Sequence, residues 1–96
     1  MKKFLMLTYG YMTPTPEIMA AWMAWFEKVG DRIVDSGNPL GNCVEVTKSG
    51  SRELSPVMGA ATGYSILSAE SREEAEKLLE GCPIIDSVRL YEAMPM

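Results

Sequence analysis

Apolar residues recur with the strand-like period of two in four segments of the chain. The predicted strands are Lys3 to Tyr9, Cys43 to Lys48, Thr62 to Ala69 and Ser87 to Ala93. The first is apolar on both faces, since Phe4 and Met6 alternate with Leu5 and Leu7, so we expect a central strand covered on both sides. The second has one polar face, which is typical of an edge strand.

A helical repeat of apolar residues runs from Glu17 to about Ser36, with a stripe formed by Ile18, Trp22, Trp25, Phe26, Val29 and Ile33. We expect Thr15 to cap this helix, Pro16 to occupy its first turn and Gly37 to end it. A second helix is predicted to open at the capping box Ser71 to Glu74, because Ser and Glu stand at its two ends.

The order strand, helix, strand, strand, helix, strand predicts one α+β domain over residues 1–96, a ferredoxin-like βαββαβ sandwich. Right-handed crossovers would place both helices on one face of an antiparallel sheet. The other face would carry either Phe4 and Met6 or Leu5 and Leu7. Leaving an apolar sheet face in water costs about 25 cal/mol per Å². We therefore expect a homodimer in which the helix-free sheet faces of two copies pack together.

The charge balance limits the classes of partner. The sequence has 13 acidic and 9 basic residues, giving a net charge of −4 at pH 7. Because Lys and Arg are not clustered, neither nucleic acid nor a membrane surface is an expected partner. The apolar run Phe4 to Leu7 is too short for a signal peptide, and no segment reaches the roughly 20 apolar residues of a membrane span. We therefore expect a cytoplasmic protein.

The sequence assigns no catalytic residue. It contains no histidine, and its two cysteines, Cys43 and Cys82, lack metal-site spacing, so we expect reduced thiols, no metal and no cofactor. Asp31 and Asp35 stand four apart on the predicted long helix, where like charges can raise one pKa, but a solvated polar face is the simpler interpretation. Cys82 lacks the electropositive surroundings that activate a thiol.

Several motifs resemble the YCII-related (DGPF) family: Gly63 to Ser71, then Glu73-Glu74-Ala75, Leu78-Leu79 and Gly81. Trp22 to Lys28 and the closing Glu92 to Met96 are similar to one branch of that family. The resemblance covers nearly the whole chain except Arg52 to Ala61, and it implies a dimeric α/β-barrel protein.

The chain also departs from the family pattern. The Asp-Gly-Pro-Phe signature is replaced by Glu53-Leu54-Ser55-Pro56-Val57. Some members carry a His–Asp pair proposed to act in catalysis, which cannot be carried over to a chain without histidine. Relatives in this branch often have a histidine after the second helix, where this chain has Cys82-Pro83-Ile84.

Aromatic residues provide the candidate ligand site. Tyr9 ends the first strand, Tyr64 lies in its expected neighbour, and Trp25 lies at the margin of the helical stripe, better placed than Trp22 to leave the core. We predict that Tyr9, Trp25 and Tyr64 line a cleft between the long helix and the sheet and grip a flat apolar ligand. The alternative is that these side chains serve core and dimer packing.

Two function classes follow from this reading. One is a small-molecule-binding or accessory protein whose cleft does no chemistry. The other is a cofactor-free enzyme of isomerase, lyase or oxygenase type acting on a small organic substrate, which rests on fold analogy. The lack of an acid–base pair favours the first class. A dimeric interaction module without a ligand is a third interpretation.

Overall fold

The computed structural model describes residues 1–95 and has mixed α+β structure, with two helices and antiparallel sheets. Its elements are β1 (Lys2–Tyr9), α1 (Pro16–Val29), β2 (Ile33–Asp35), β3 (Cys43–Thr47), β4 (Gly50–Leu54), β5 (Gly63–Ala69), α2 (Arg72–Leu78) and β6 (Ser87–Glu92). Met96, which belongs to the closing segment of the family resemblance, lies outside the described residues. Among residues 1–95, no helix has the length and apolar content needed to cross a bilayer.

Four strands form the main sheet, in the order β2-β5-β1-β6, and all neighbours are antiparallel. The prediction that β1 is a central strand is confirmed, because Leu5 faces Ile66 of β5 on one side and Tyr91 of β6 on the other. This register brings the start of β5, the end of β1 and the start of β6 to the same end of the sheet.

Both helices pack on one face of this sheet. The buried apolar residues that the strands contribute there are Phe4, Met6, Leu67 and Ala69. Trp25 and Val29 of α1 pack against Met6 and Leu67, while Ala75 of α2 packs against Phe4. The structure therefore assigns the Phe4 and Met6 set of β1 to the helix side.

No helix of residues 1–95 packs on the opposite face of the sheet. Strand alternation places Leu5, Leu7 and Ile66 there, each only half-buried. Tyr91, which pairs with Leu5 across β1 and β6, is 50% exposed. This face therefore presents apolar side chains that no helix of residues 1–95 covers.

The prediction that the first helix continues to Ser36 is wrong. Gly30 ends the α-helix with φ +62°, and its N–H donates to the carbonyl of Phe26. A short 3-10 turn over Gly30–Arg32 then leads into β2, where β-branched residues favour a strand. Ile33 still packs on the core beneath α1, which is why it matched the helical stripe.

Asp31 and Asp35 consequently do not share a helical face. Asp31 lies in the 3-10 turn, and Asp35 ends β2, where its carboxylate accepts hydrogen bonds from the Gly37 N–H at 2.8 Å and the Tyr64 hydroxyl at 3.3 Å. Asp35 closes the turn after the strand, as short carboxylates commonly do.

The strand predicted over Cys43 to Lys48 forms, as β3, but its expected place in the main sheet is wrong. In the described part of the chain, β3 pairs with β4 alone, as a separate two-stranded hairpin. The second strand of the main sheet is instead β2, whose three residues lie within the segment that the apolar periodicity predicted to be helical. A register shift between Ile33 and Asp35 brings Asp35 opposite Ile66.

The predicted helix starts are confirmed by side-chain caps. The Thr15 hydroxyl accepts a hydrogen bond from the Ile18 N–H at 3.2 Å, and Pro16 opens α1. The Ser71 hydroxyl accepts from the Glu74 N–H at 3.2 Å at the start of α2. Each cap satisfies a backbone donor that has no partner within the helix.

Candidate functional site

A cleft of about 380 Å³ opens between α1 and the end of the main sheet where β1 ends and where β5 and β6 begin. One wall is α1, and the opposite wall is the segment between α2 and β6, which contributes Pro83, Ile84 and Ile85. The loop after β2, from Ser36 to Pro39, closes one end. The volume lies within the range of about 300–1,000 Å³ of pockets that hold small molecules.

Flexible apolar side chains form the mouth of the cleft. Met12, Met19 and Met23 line it and are 51%, 55% and 71% exposed. Ile84 and Ile85 line it as well and are 48% and 40% exposed. Methionine is unbranched and polarizable, so a surface of this kind adapts its shape to apolar ligands.

The floor of the cleft is built around glycine and small hydroxyl residues. A Cβ at Gly63 would lie 2.7 Å from the Thr8 hydroxyl oxygen, so glycine keeps the two strand ends close without filling the floor. The Ser65 hydroxyl is buried and donates to the Ser36 carbonyl at 2.8 Å. Thr8 and Asn38, which also line the cleft, carry a hydroxyl and an amide that can donate and accept hydrogen bonds.

The structure reverses the predicted placement of the two tryptophans. Trp25 is 1% exposed, and its indole N–H donates to the Leu78 carbonyl at 2.8 Å, which fastens α1 to the end of α2. Trp22 lines the cleft instead. The rings of Trp22 and Trp25 meet edge to face, with centroids 5.9 Å apart, so the buried tryptophan fixes the position of the accessible one.

Tyr9 and Tyr64 both lie at the cleft, and the predicted adjacency of their strands is confirmed. Their rings, however, belong to the helix-free face, because they alternate with Thr8 and Ser65. The Tyr9 ring packs against the Arg89 guanidinium at 4.6 Å, and the Tyr64 hydroxyl points to Asp35. The two tyrosines therefore support the strand ends, and their hydroxyls do not face α1.

Within the described residues, the cleft lining includes no acidic or basic side chain and no thiol. Cys82 lies next to the lining residue Pro83 but is packed against the core, and burial raises the pKa of its thiol to about 11. This thiol stays protonated near neutral pH and is a poor nucleophile. Cys43, at the start of β3, is likewise a free thiol in a different element.

Sequence reasoning missed most of the lining. Met19 and Met23 stand four residues apart beside the stripe of α1, and they widen its apolar face beyond what packing on one sheet requires. That extra width is the feature of the sequence that could have indicated that α1 lines a cleft. Ile84 and Ile85 carry no comparable periodic pattern, because they lie in an irregular segment.

Comparisons with models of known protein families, with curated proteins and with solved structures give no significant match.

Proposed function

We propose that this protein binds a small, uncharged and predominantly apolar molecule in the cleft between α1 and the sheet, and performs no chemistry on it. The observation that carries this proposal is the lining itself: methionine, isoleucine, proline and Trp22, with no charged group among the described residues. A charged ligand would lose its hydration there without gaining a compensating partner. A flat apolar ligand would gain contact with the Trp22 ring and the methionines.

The polar groups of the cleft fit a ligand with one or two hydrogen-bonding atoms. Thr8, on the floor, carries a hydroxyl, and Asn38, in the loop after β2, carries an amide; both residues line the cleft. Both can donate and accept, so they would orient a carbonyl or hydroxyl group within an otherwise apolar site. A few such handles in a mainly apolar pocket are the usual means of specificity.

The alternative of a cofactor-free enzyme has weak support: among the described residues, the titratable groups that line the cleft are tyrosines, and no carboxylate, amine or imidazole lines it beside them. General acid–base catalysis requires a titratable side chain within hydrogen-bond reach of the substrate. Family relatives often have a histidine after the second helix, but here Pro83 and Ile84 line the cleft. The proposed role is therefore binding, and it needs neither metal nor cofactor.

We also propose that the chain has a ferredoxin-like fold, belongs to the YCII-related family and forms a homodimer. The order β2-β5-β1-β6, with both helices on one face, supports a ferredoxin-like arrangement into which the β3–β4 hairpin is inserted. The motifs from Gly63 to Gly81 support membership of the YCII-related family. The half-buried Leu5, Leu7 and Ile66 support a homodimer through the helix-free face, in the manner of a dimeric α/β-barrel.

Binding of 1-aminoanthracene, a neutral fluorescent ring system, tests the proposed site. We expect Met19→Glu to raise the dissociation constant of this probe about tenfold, because a charge replaces an apolar contact. Met58→Glu is the matched control: Met58 is 55% exposed, as Met19 is, but lies outside the cleft. The control should shift the dissociation constant less than about twofold.

Two results would contradict the proposal. The unmodified protein could fail to bind neutral apolar probes at all, or both glutamate variants could weaken binding equally. Trp22→Ala provides a second check, since it should weaken binding further while Trp25 keeps its hydrogen bond to the Leu78 carbonyl. Thermal melting of each variant separates lost binding from lost folding.

A further inference from the structure

The helix-free face of the sheet carries opposite charges at its two edges. On β6, Arg89 alternates with the core residues Val88 and Leu90, so it projects to the helix-free side, where its guanidinium covers the Tyr9 ring. On β2, Asp35 reaches the same side, because its carboxylate meets the Tyr64 hydroxyl there. An apolar band formed by Leu5, Leu7 and Ile66 separates the two charges.

These two charges are too far apart to pair within one chain. β2 and β6 are the outer strands of the four-stranded sheet. Three strand spacings of about 4.8 Å separate them, or about 14 Å in all. Strand alternation also places Lys3 on this face, two residues before Leu5. Among residues 1–95, however, neither Arg89 nor Asp35 lies within 4 Å of an opposite charge, so a partner surface can complement both.

We infer that the helix-free face docks a second copy of this chain about a two-fold axis that runs parallel to the strands, with Arg89 of each copy paired to Asp35 of the partner subunit. This inference rests on the proposed dimer and specifies its geometry. A two-fold axis along the strands, between β1 and β5, lays β6 of one copy over β2 of the other. Both rim charges then meet an opposite charge.

The strand register places Arg89 close enough to Asp35 of the partner subunit for the two side chains to meet. Arg89 lies in the row of Leu7, and Asp35 lies in the row of Leu5, as does Tyr91. The two rows differ by two residues, or about 7 Å along a strand. Packed sheets are about 10 Å apart, and the extended arginine and aspartate side chains together bridge such a gap. Tyr91 would lie over Asp35 of the partner subunit and could also donate its hydroxyl hydrogen.

The competing arrangement is electrostatically worse. A two-fold axis perpendicular to the strands lays each strand over its own counterpart, so Arg89 of the two copies would approach each other, as would Asp35. Like charges across an interface disfavour that register. The charge pattern therefore acts mainly on the orientation of the dimer, while the apolar band supplies the contact area.

Changing these two charges tests the pairing, with the dimer dissociation constant measured by sedimentation at low and high salt. Arg89→Glu and Asp35→Asn should each weaken the dimer about tenfold or more, and the double variant should lose clearly less than the sum of the two losses, because both changes act on one pair. Asparagine keeps an oxygen that can accept the Gly37 N–H, so the turn after β2 is retained. Lys48→Glu, in the turn of the β3–β4 hairpin, is the charge-reversal control and should leave dimerisation unchanged. High salt should reduce the differences between variants.

A zero-length crosslink tests the contact independently of affinity. In Arg89→Lys, a carbodiimide should couple the amine at position 89 to Asp35 of the partner subunit, and mass spectrometry should find that peptide pair. Adding Asp35→Asn should abolish the product.

The results of these experiments distinguish failure of the Arg89–Asp35 pairing from failure of the proposed homodimer. A monomeric unmodified protein at micromolar concentration overturns both. If the losses of the two single variants simply add in the double variant, or if the crosslink does not form, the dimer stands and the Arg89–Asp35 pairing is overturned.

Discussion

Gly37 occupies a backbone position beside the cleft that other residues do not fit. Its φ is +77°, and a Cβ built there would lie 1.7 Å from the Tyr64 carbonyl oxygen. The loop after β2 therefore presses directly on the backbone of β5, and Asp35 holds it there by accepting the Gly37 N–H. The close approach is what lets Ser65 reach the Ser36 carbonyl and close the end of the cleft.

Gly37→Ala is expected to lower the free energy of unfolding by about 3 kcal/mol, since it adds a steric clash to an unfavourable φ. Gly59→Ala is the matched control: its φ is +97°, but a Cβ there meets nothing within 4 Å. The control should cost about 1 kcal/mol, for the φ alone. Urea denaturation measures both; equal losses would show that the loop can move away from β5.

The junction between α1 and β2 is tied to α2 by an ion pair. Arg32 donates to the Glu74 carboxylate and, at 3.3 Å, to the Ser68 carbonyl. The arginine lowers the pKa of Glu74, chiefly through this hydrogen bond. The Glu74 side chain thus bonds to Arg32 of another element, while its N–H keeps the helix cap with Ser71.

The pKa of Glu74 is lower in the folded protein than in the unfolded chain. The ionised Glu74 side chain therefore contributes its full stabilisation above the ordinary carboxyl pKa of about 4.3. This stabilisation is lost as the pH falls through the lower pKa of the folded protein. We expect Glu74→Gln to reduce the urea midpoint at pH 7 and to converge with the unmodified protein at low pH. Glu76→Gln is the control, since Glu76 lies 3.6 Å from Arg72 on the exposed surface and should change the midpoint less. A difference for Glu74→Gln that persists unchanged into strong acid would contradict this account.

At the scale of the whole molecule, the β3–β4 hairpin extends away from the main sheet. The molecule measures 42 × 40 × 18 Å, and the strands of the hairpin make extensive contacts only with each other. Val44 and Val46 are 52% and 75% exposed. The cross-strand pair of Arg52 and Glu45, at 2.6 Å, contributes little at such an exposed position. An isolated two-stranded hairpin is marginally stable in water.

Backbone amides should therefore exchange hydrogen at different rates in the hairpin and in the main sheet. We expect amides of β3 and β4 to exchange at least about 100-fold faster than those of β1 and β5, which lie inside the main sheet. Slow exchange throughout the hairpin would show that another surface covers it, and dilution below the dimer dissociation constant would reveal whether that surface is the second copy.

Local patterns in the sequence determined the helix starts, the central strand and the α+β class. Thr15 and Ser71 act through hydrogen bonds within three residues of the chain, and β1 is recognisable because apolar residues occupy both of its faces. These features depend only on neighbours in sequence, so they can be inferred from it.

Tertiary structure alone decided which strands pair, which tryptophan is accessible, and that the chain after Gly30 continues into a strand of the main sheet. Ile33 matches the period of a helix and yet lies in β2, because the helix ends at Gly30 and Ile33 pairs with Leu67 of β5. Trp25 is buried against Met6 and Leu67, and the Leu78 carbonyl, 53 residues away along the chain, accepts its N–H. Long-range contacts of this kind leave no local periodicity, and the cleft that Trp22 lines exists only once α1 and the segment after α2 are brought together.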